Sequence, residues 1–278
     1  MKFASFEIAG RAGWGVVEGD VVADLASVAA NLRSAIAAGA LAAAPGDAPR
    51  HRLADIVFLP VIPKPDKIIC VGVNYVEHRE ETGRTASAYP TIFTRFANSQ
   101  VGHLTPLIRP RLSAELDYEG ELAVIIGKSG RHIAAADAAA HIAGYACYND
   151  ATLRDWQRHT SQFTPGKNFA GTGGFGPWMV TPDEAGVLAE QFLRTRVNGV
   201  VLQEAQLRDM IFGIPALIAY CSGFTRLEPG DVIVTGTPGG VGSRRRPPIW
   251  LKAGDVVEVE IDDVGLLKNL VADEPAVL

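Results

Sequence analysis

In Asp117-Tyr-Glu-Gly-Glu-Leu-Ala-Val-Ile-Ile-Gly127, an apolar, β-branched run from Leu122 to Ile126 is closed by Gly127 and predicts a strand. Side chains alternate along a strand, so Glu119 and Glu121 share one face, with Glu115 and Asp117 in the same phase. Leu116, Tyr118, Leu122, Val124 and Ile126 take the other face. A carboxylate carried into low dielectric needs a partner or a metal. Two carboxylates two residues apart, with Gly120 leaving room for close approach, suit a hard divalent cation such as Mg²⁺. An edge strand whose acids fray into solvent is the plain alternative, and the acids alone do not separate the two.

The rest of the chain narrows the choice. Its 278 residues make one large domain or two modest ones. A hydrophobic content of 47% and a charged content of 21% fit a globular protein rather than a disordered one. The net charge of -5 argues against nucleic acid as the main partner. No apolar run is long enough to span a membrane. Glu7 falls where a signal peptide needs its apolar core, which predicts a cytoplasmic protein. Cys70, Cys147 and Cys221 are far apart and sit in or beside apolar segments, so they read as buried thiols.

Residues 1–62 are expected to form a small N-terminal α/β module. Strands are predicted at Phe3–Ile8, Trp14–Val17 and Val21–Leu25, and an Ala-rich helix near Asn31–Ala43. Pro60, Pro63 and Pro65 mark a linker, and residues 63–278 form the second region. Strands are predicted there at Val197–Leu202, Asp231–Thr235 and Asp255–Ile261. Helices are predicted at Ala134–Ala143, Leu153–Thr160 and Met210–Cys221. Short strands with scattered helices give a β-rich α+β chain, without the regular alternation of a doubly wound fold.

Three look-alikes fall away. Gly171-Thr-Gly-Gly-Phe-Gly176 has the dinucleotide glycine spacing, but the strand-like Pro177-Trp-Met-Val follows where a helix N-terminus is required. Gly127-Lys-Ser echoes the end of a P-loop, yet Leu122 stands where its first Gly belongs. A Gly-x-Ser-x-Gly elbow is missing, so a serine hydrolase lacks its signature.

The candidate chemistry is spread along the second region. Asp150 ends a β-like run; it either completes an all-oxygen ligand set with Glu119 and Glu121 or caps a helix. If Val73-Asn-Tyr-Val-Glu-His-Arg-Glu-Glu81 is helical, His78 and Glu81 are neighbours three apart, and the carboxylate orients the ring as a base. An ordinary surface charge pair is the alternative. Lys167 follows a turn and could meet developing negative charge. Arg154 and Gln157 sit on one helical face and could clamp a carboxylate, or simply be solvated. Thr235-Gly-Thr-Pro-Gly-Gly-Val-Gly242 ends a strand in a Gly-rich loop suited to close ligand approach. Arg244-Arg-Arg-Pro-Pro reads as a solvated loop, with a weaker chance of steering an anion.

Taken in order, these pieces resemble the fumarylacetoacetate hydrolase family. They are Ile69-Cys-Val-Gly-Val-Asn-Tyr-Val-Glu-His78 with Glu81, Asp117-Tyr-Glu-Gly-Glu121, Asn149-Asp150 with Arg154-Asp155, Gly166-Lys167 and Gly236-Thr-Pro-Gly239. The resemblance covers most of residues 66–270. It implies a mixed β-sandwich roll, a homodimer, and Mg²⁺ or Mn²⁺ on Glu119, Glu121 and Asp150. It also implies His78 with Glu81 as the water-activating pair, and Lys167 and Thr237 facing a small oxo-acid substrate. One departure stands out. Phe93-Thr-Arg-Phe96 replaces the Lys-Pro of many members; Arg95 keeps the positive charge and is expected to meet substrate, but its planar fork is not a lysine point charge.

The expected reaction is metal-assisted hydrolysis of a carbon–carbon bond in an acylpyruvate or related 1,3-dicarbonyl acid. Lys167 would steady the departing enolate. The same electron sink would serve 2-oxo acid decarboxylation or keto–enol isomerisation in aromatic-catabolite degradation. A non-catalytic metal-binding protein has no need of an oriented His78. A nicotinamide oxidoreductase has only the misplaced glycines behind it.

Overall fold

A computed structural model describes residues 1–275. The strand expected from the acidic stretch is Gly120–Ile126, and all seven of its residues are buried. It pairs antiparallel with Ile142–Asn149 on one side and with Val232–Val234 on the other. Outward from Ile142–Asn149 the sheet continues through Gly173–Val180. Outward from Val232–Val234 it continues through Ile68–Gly72, parallel, and then Thr91–Arg95, antiparallel. A second sheet runs Val200–Gln206, Phe192–Val197, Val256–Ile261, Gly265–Asp273 and Leu107–Arg109 in spatial order.

The two sheets face each other, which makes the mixed β-sandwich roll. Leu122, Val124 and Ile126 pack with Leu193, Val259, Ile261 and Leu267 of the second sheet. Ala123 and Ile125, on the opposite face, join a core with Phe3, Trp14 and Leu32. Each such aliphatic side chain contributes about 1.5–3 kcal/mol by leaving water. This two-sided burial is why the run reads as continuously apolar rather than alternating. Gly120 follows the same geometry. A Cβ there would lie 2.0 Å from Thr195 Oγ1 of the second sheet. Its missing side chain therefore serves the meeting of the sheets; it points away from Glu119 and Glu121 and makes no room between them.

The leading residues do not stand apart. Lys2–Ile8 pairs with Gly173–Val180, and Arg11–Glu18, Val21–Asp24 and Arg50–Arg52 carry the same sheet outward. The Pro-rich connection is packed rather than loose, with Val61 and Ile62 fully buried. The helix expected near Asn31–Ala43 is shorter, Leu32–Ala37, and the Asn31 side chain accepts the Ser34 N–H at its start.

Other expectations shift for local reasons. Val197–Leu202 is not one strand: it spans the turn of a hairpin between Phe192–Val197 and Val200–Gln206. Asn198 and Gly199 both take positive φ, 52° and 79°, which is the Asn-Gly hairpin signal. Ala134–Ala143 narrows to a 3₁₀ segment, Ala135–His141. Leu153–Thr160 contributes one turn, Arg154–Gln157. The helix expected at Met210–Cys221 begins later, at Ile214–Phe224, with Pro215 in its first turn. Gly173–Val180 is a strand, so the glycines before it open no helix.

One packing contact predicts a pH effect. His103 Nδ1 accepts the Lys268 N–H at 3.1 Å, and its ring meets Phe58 edge-on at 5.0 Å. Burial, with Lys268 adding to it, holds this imidazole at about 4 instead of 6.5. The unfolded chain therefore takes up a proton before the folded one does. Stability from this site is complete above pH 6.5 and is lost as pH falls toward 4. After discounting for its partial exposure, the expected loss is about 2 kcal/mol. Urea unfolding at pH 7 and pH 4.5 should show a smaller drop in His103→Gln than in the wild type; equal drops would refute the assignment.

Candidate metal centre and catalytic dyad

Pairing of Gly120 with Asn149 sets the site. The Asp150 N–H donates to the Glu119 carbonyl at 2.8 Å, and the Glu119 N–H donates to Asn149 Oδ1 at 3.0 Å. Two neighbouring strand ends thus place Glu119, Glu121 and Asp150 together. One oxygen from each lies within 4.8 Å of the others, and all three residues are buried. Asp150 caps no helix, since the following turn starts at Arg154 with Leu153 before it. The acids do not fray into solvent either.

Their electrostatics fit a divalent cation. Burial, followed by the charges of Asp150 and Glu119, pushes the Glu121 carboxyl well above its usual range, although the Gly236 N–H donates to it. Burial also raises Glu119, but Arg154 and Lys167 outweigh it and hold that group at about 2. Four buried carboxyl groups, Asp117, Glu119, Glu121 and Asp150, face three buried cations, Arg95, Arg154 and Lys167, so full ionisation would leave one formal negative charge in excess (4 − 3 = 1). A carboxyl disfavoured by its neighbours gains most when a dication joins them.

The expected cations are placed as follows. Lys167, at the end of the turn Thr164–Lys167, is buried and donates to Glu119 and Asp150. Burial works against its charge, but Asp150 and Glu119 prevail and raise its pKa. Arg154 bonds Asp117 at 2.8 Å, lies 2.6 Å from Glu119, and donates to Gln157 Oε1 at 3.0 Å. Arginine only donates, so Gln157 must turn its oxygen to Arg154 and its NH₂ elsewhere. Thr237 Oγ1 donates to the Gly120 carbonyl at 2.9 Å and accepts from Gln203 at 2.8 Å, so its proton is already committed. Arg95 departs from expectation: its side chain is fully buried against Asp150 and does not line the cavity.

His78 and Glu81 are brought together on the helix Val76–Thr82. Their Nδ1 and Oε1 atoms are 2.7 Å apart, and the Gly240 N–H donates to the other Glu81 oxygen at 3.0 Å. Asn74 pins the start of the helix: its amide donates to the carbonyls of Thr235 and Phe212 and accepts the Phe212 N–H. Nε2 is the ring nitrogen left for chemistry. His78, Glu119, Glu121, Arg154, Gln157, Lys167 and Thr237 line one cavity of about 370 Å³.

Residues 67–272 match the profile for the fumarylacetoacetate (FAA) hydrolase C-terminal domain. The chain belongs to the fumarylacetoacetate hydrolase family. Among its relatives, Homo sapiens oxaloacetate tautomerase FAHD2A, mitochondrial, is 44% identical over 219 residues, 78% of this chain and 70% of that protein. The Xenopus laevis protein named oxaloacetate tautomerase fahd2, mitochondrial, is 44% identical over 227 residues, 80% of this chain and 71% of its own. The fumarylacetoacetate hydrolase of psychrophilic Exiguobacterium antarcticum superposes with a TM-score of 0.87 at 37% identity, covering 99% of this chain and 100% of that one. Maleylpyruvate hydrolase from Sphingobium sp. SYK-6, solved with manganese (II) and pyruvate, gives 0.83 at 30% identity with the same coverage.

Sequence reading of this fumarylacetoacetate hydrolase relative missed several residues. Asp117, in phase with Glu119, is no ligand: its two oxygens accept the N–H groups of Tyr118, Gly242 and Ser243 and the Arg154 Nε. Arg84, Arg158 and Arg244 also line the cavity. Arg244 carried a faint signal in the Arg-Arg-Arg-Pro-Pro run; Arg84 carried none.

Proposed function

We propose that this protein interconverts the keto and enol forms of a small 2-oxo dicarboxylic acid of the oxaloacetate type. The observation that carries the reading is that His78, held by Glu81, opens on the same cavity as Glu119 and Glu121. His78 Nε2 takes a proton from the carbon beside the oxo group, while Glu81 holds Nδ1 and offsets the ring's new charge. Lys167 places a fixed positive charge beside the oxygen that becomes negative. Mg²⁺ or Mn²⁺ held by Glu119, Glu121 and Asp150 supplies Lewis-acid polarisation of the 2-oxo group when bound. Return of that proton from His78 to the oxygen, directly or through water, gives the enol and restores the neutral base, and the same steps reversed give the ketone.

Arg84 and Arg244 line the cavity while remaining exposed, and both suit a second carboxylate. Removing either by Arg84→Ala or Arg244→Ala should raise KM for oxaloacetate about tenfold. KM for an acylpyruvate with an uncharged tail should stay where it is; equal shifts for both would remove the two arginines from the substrate site. The reaction itself is tested by following enol-oxaloacetate decay with protein loaded with Mg²⁺ or Mn²⁺. A rate no faster than buffer would end this reading.

Carbon–carbon hydrolysis, the reaction expected from the sequence, is the second reading, supported by the similarity to maleylpyruvate hydrolase. It uses the same base on water, but it needs donors at a second carbonyl. Thr237 has committed its proton to Gly120, so Gln157 is the neutral donor left from the expected set. That shortage favours enolisation. Release of pyruvate from acylpyruvates would reverse the order.

A further inference from the structure

Arg95 ends the strand Thr91–Arg95, bonds Asp150 and does not line the cavity. Its side chain is 0% exposed. The guanidinium is used on every branch. Nε donates to Ser99 Oγ at 3.1 Å, Nη1 to Asp150 Oδ1 at 2.7 Å and to the Ala151 carbonyl at 3.0 Å, and Nη2 to Thr172 Oγ1 at 2.7 Å. Ser99 and Thr172 give their own protons to the carbonyls of Phe96 and Phe169, each at 2.8 Å, which leaves both hydroxyls as acceptors toward Arg95. A Cβ on residue 173 would stand 2.8 Å from Nη2 and 2.9 Å from Cζ. Only glycine at that position admits the planar fork. A lysine ammonium has no such branches and could not fill the cradle.

Asp150 is divided by this arrangement. Oδ1 belongs to Arg95, while Oδ2 accepts from Lys167 on the side of Glu119. We propose that Arg95 is a positioning residue of the acid cluster: by holding Asp150 Oδ1 in the Ser99–Thr172–Gly173 cradle, it turns Oδ2 toward Glu119 and Glu121 and so shapes the cation site. The inference rests on reading the cluster as a divalent-cation site.

Two effects of Arg95 oppose each other, which makes the test a matter of sign. As a bare positive charge it repels a bound cation, so its removal would tighten binding. As the group that orients a ligand it aids binding, and losing such an outer partner typically costs 10–100-fold in affinity. Mn²⁺ titration of the full chain, by calorimetry and by electron paramagnetic resonance, separates them. Arg95→Met should bind Mn²⁺ about 10–100-fold more weakly than the wild type, and Arg95→Lys should be intermediate. Gly173→Ala keeps the charge but displaces the fork; it should also weaken binding and alter the Mn²⁺ line shape. It carries the test if Arg95→Met does not fold, as judged by thermal melting. Affinity equal to or tighter than wild type in the folded variants would overturn the role of Arg95 while leaving the cation site in place. A wild type that binds no Mn²⁺ would overturn both together.

Discussion

His78→Ala should lower kcat for the proposed tautomerisation by about 10²–10⁴-fold, the usual worth of a positioned general base, and should leave Mn²⁺ affinity unchanged. The first half follows from geometry. His78 is buried, Glu81 holds its Nδ1 at 2.7 Å, and Nε2 remains the free nitrogen. The second half follows from topology. The acid cluster comes from the ends of Gly120–Ile126 and Ile142–Asn149, whereas the dyad rides on Val76–Thr82. Glu81→Gln should cost less, because the amide oxygen can still accept the ring Nδ1–H, although it gives up the Gly240 N–H bond and no longer balances an imidazolium. Turnover and Mn²⁺ titration on the same preparations decide the matter. Wild-type turnover in His78→Ala, or loss of the ion along with activity, would mean that another group is the base.

Glu121→Gln should abolish turnover and weaken Mn²⁺ binding by more than about 100-fold, since the outer contacts of a ligand alone are worth 10–100-fold. The same change should stabilise the metal-free protein. Burial and the neighbouring Asp150 and Glu119 raise the folded-state pKa of Glu121. The folded chain therefore favours the protonated group, and stability falls as pH rises through the unfolded value of about 4.3 toward the folded one. A glutamine copies the neutral form and can keep the Gly236 N–H bond, so it escapes that loss at neutral pH. The pair of measurements is activity with Mn²⁺ and thermal melting in chelator. An active Glu121→Gln protein, or one that melts lower than wild type without metal, would contradict this account of the cluster.

The two halves of the centre were legible in the chain because each is a local pattern. Strand alternation puts Glu119 and Glu121 in one phase whatever the partner strand is, and a helical turn puts His78 beside Glu81. The apolar run from Leu122 to Ile126 likewise specifies a buried strand through composition alone. What alternation leaves open is which in-phase acid does what. Asp117 has the same phase as Glu119, yet it is consumed by Arg154, 37 residues away, and by the loop at Gly242 and Ser243. Gly120 looked like room for an ion and proved to be room for Thr195 of the facing sheet. Arg95 looked like a substrate contact by its charge; its bond to Asp150, 55 residues on, came with the pairing of Gln100–Val101 against Gly173–Gly174, which sets Ser99 and Thr172 around the guanidinium. Periodicity acts between neighbours in sequence, so it assigns faces and spacings. Partners for buried charges are chosen by desolvation and hydrogen bonding among segments that meet only after the sheets have formed.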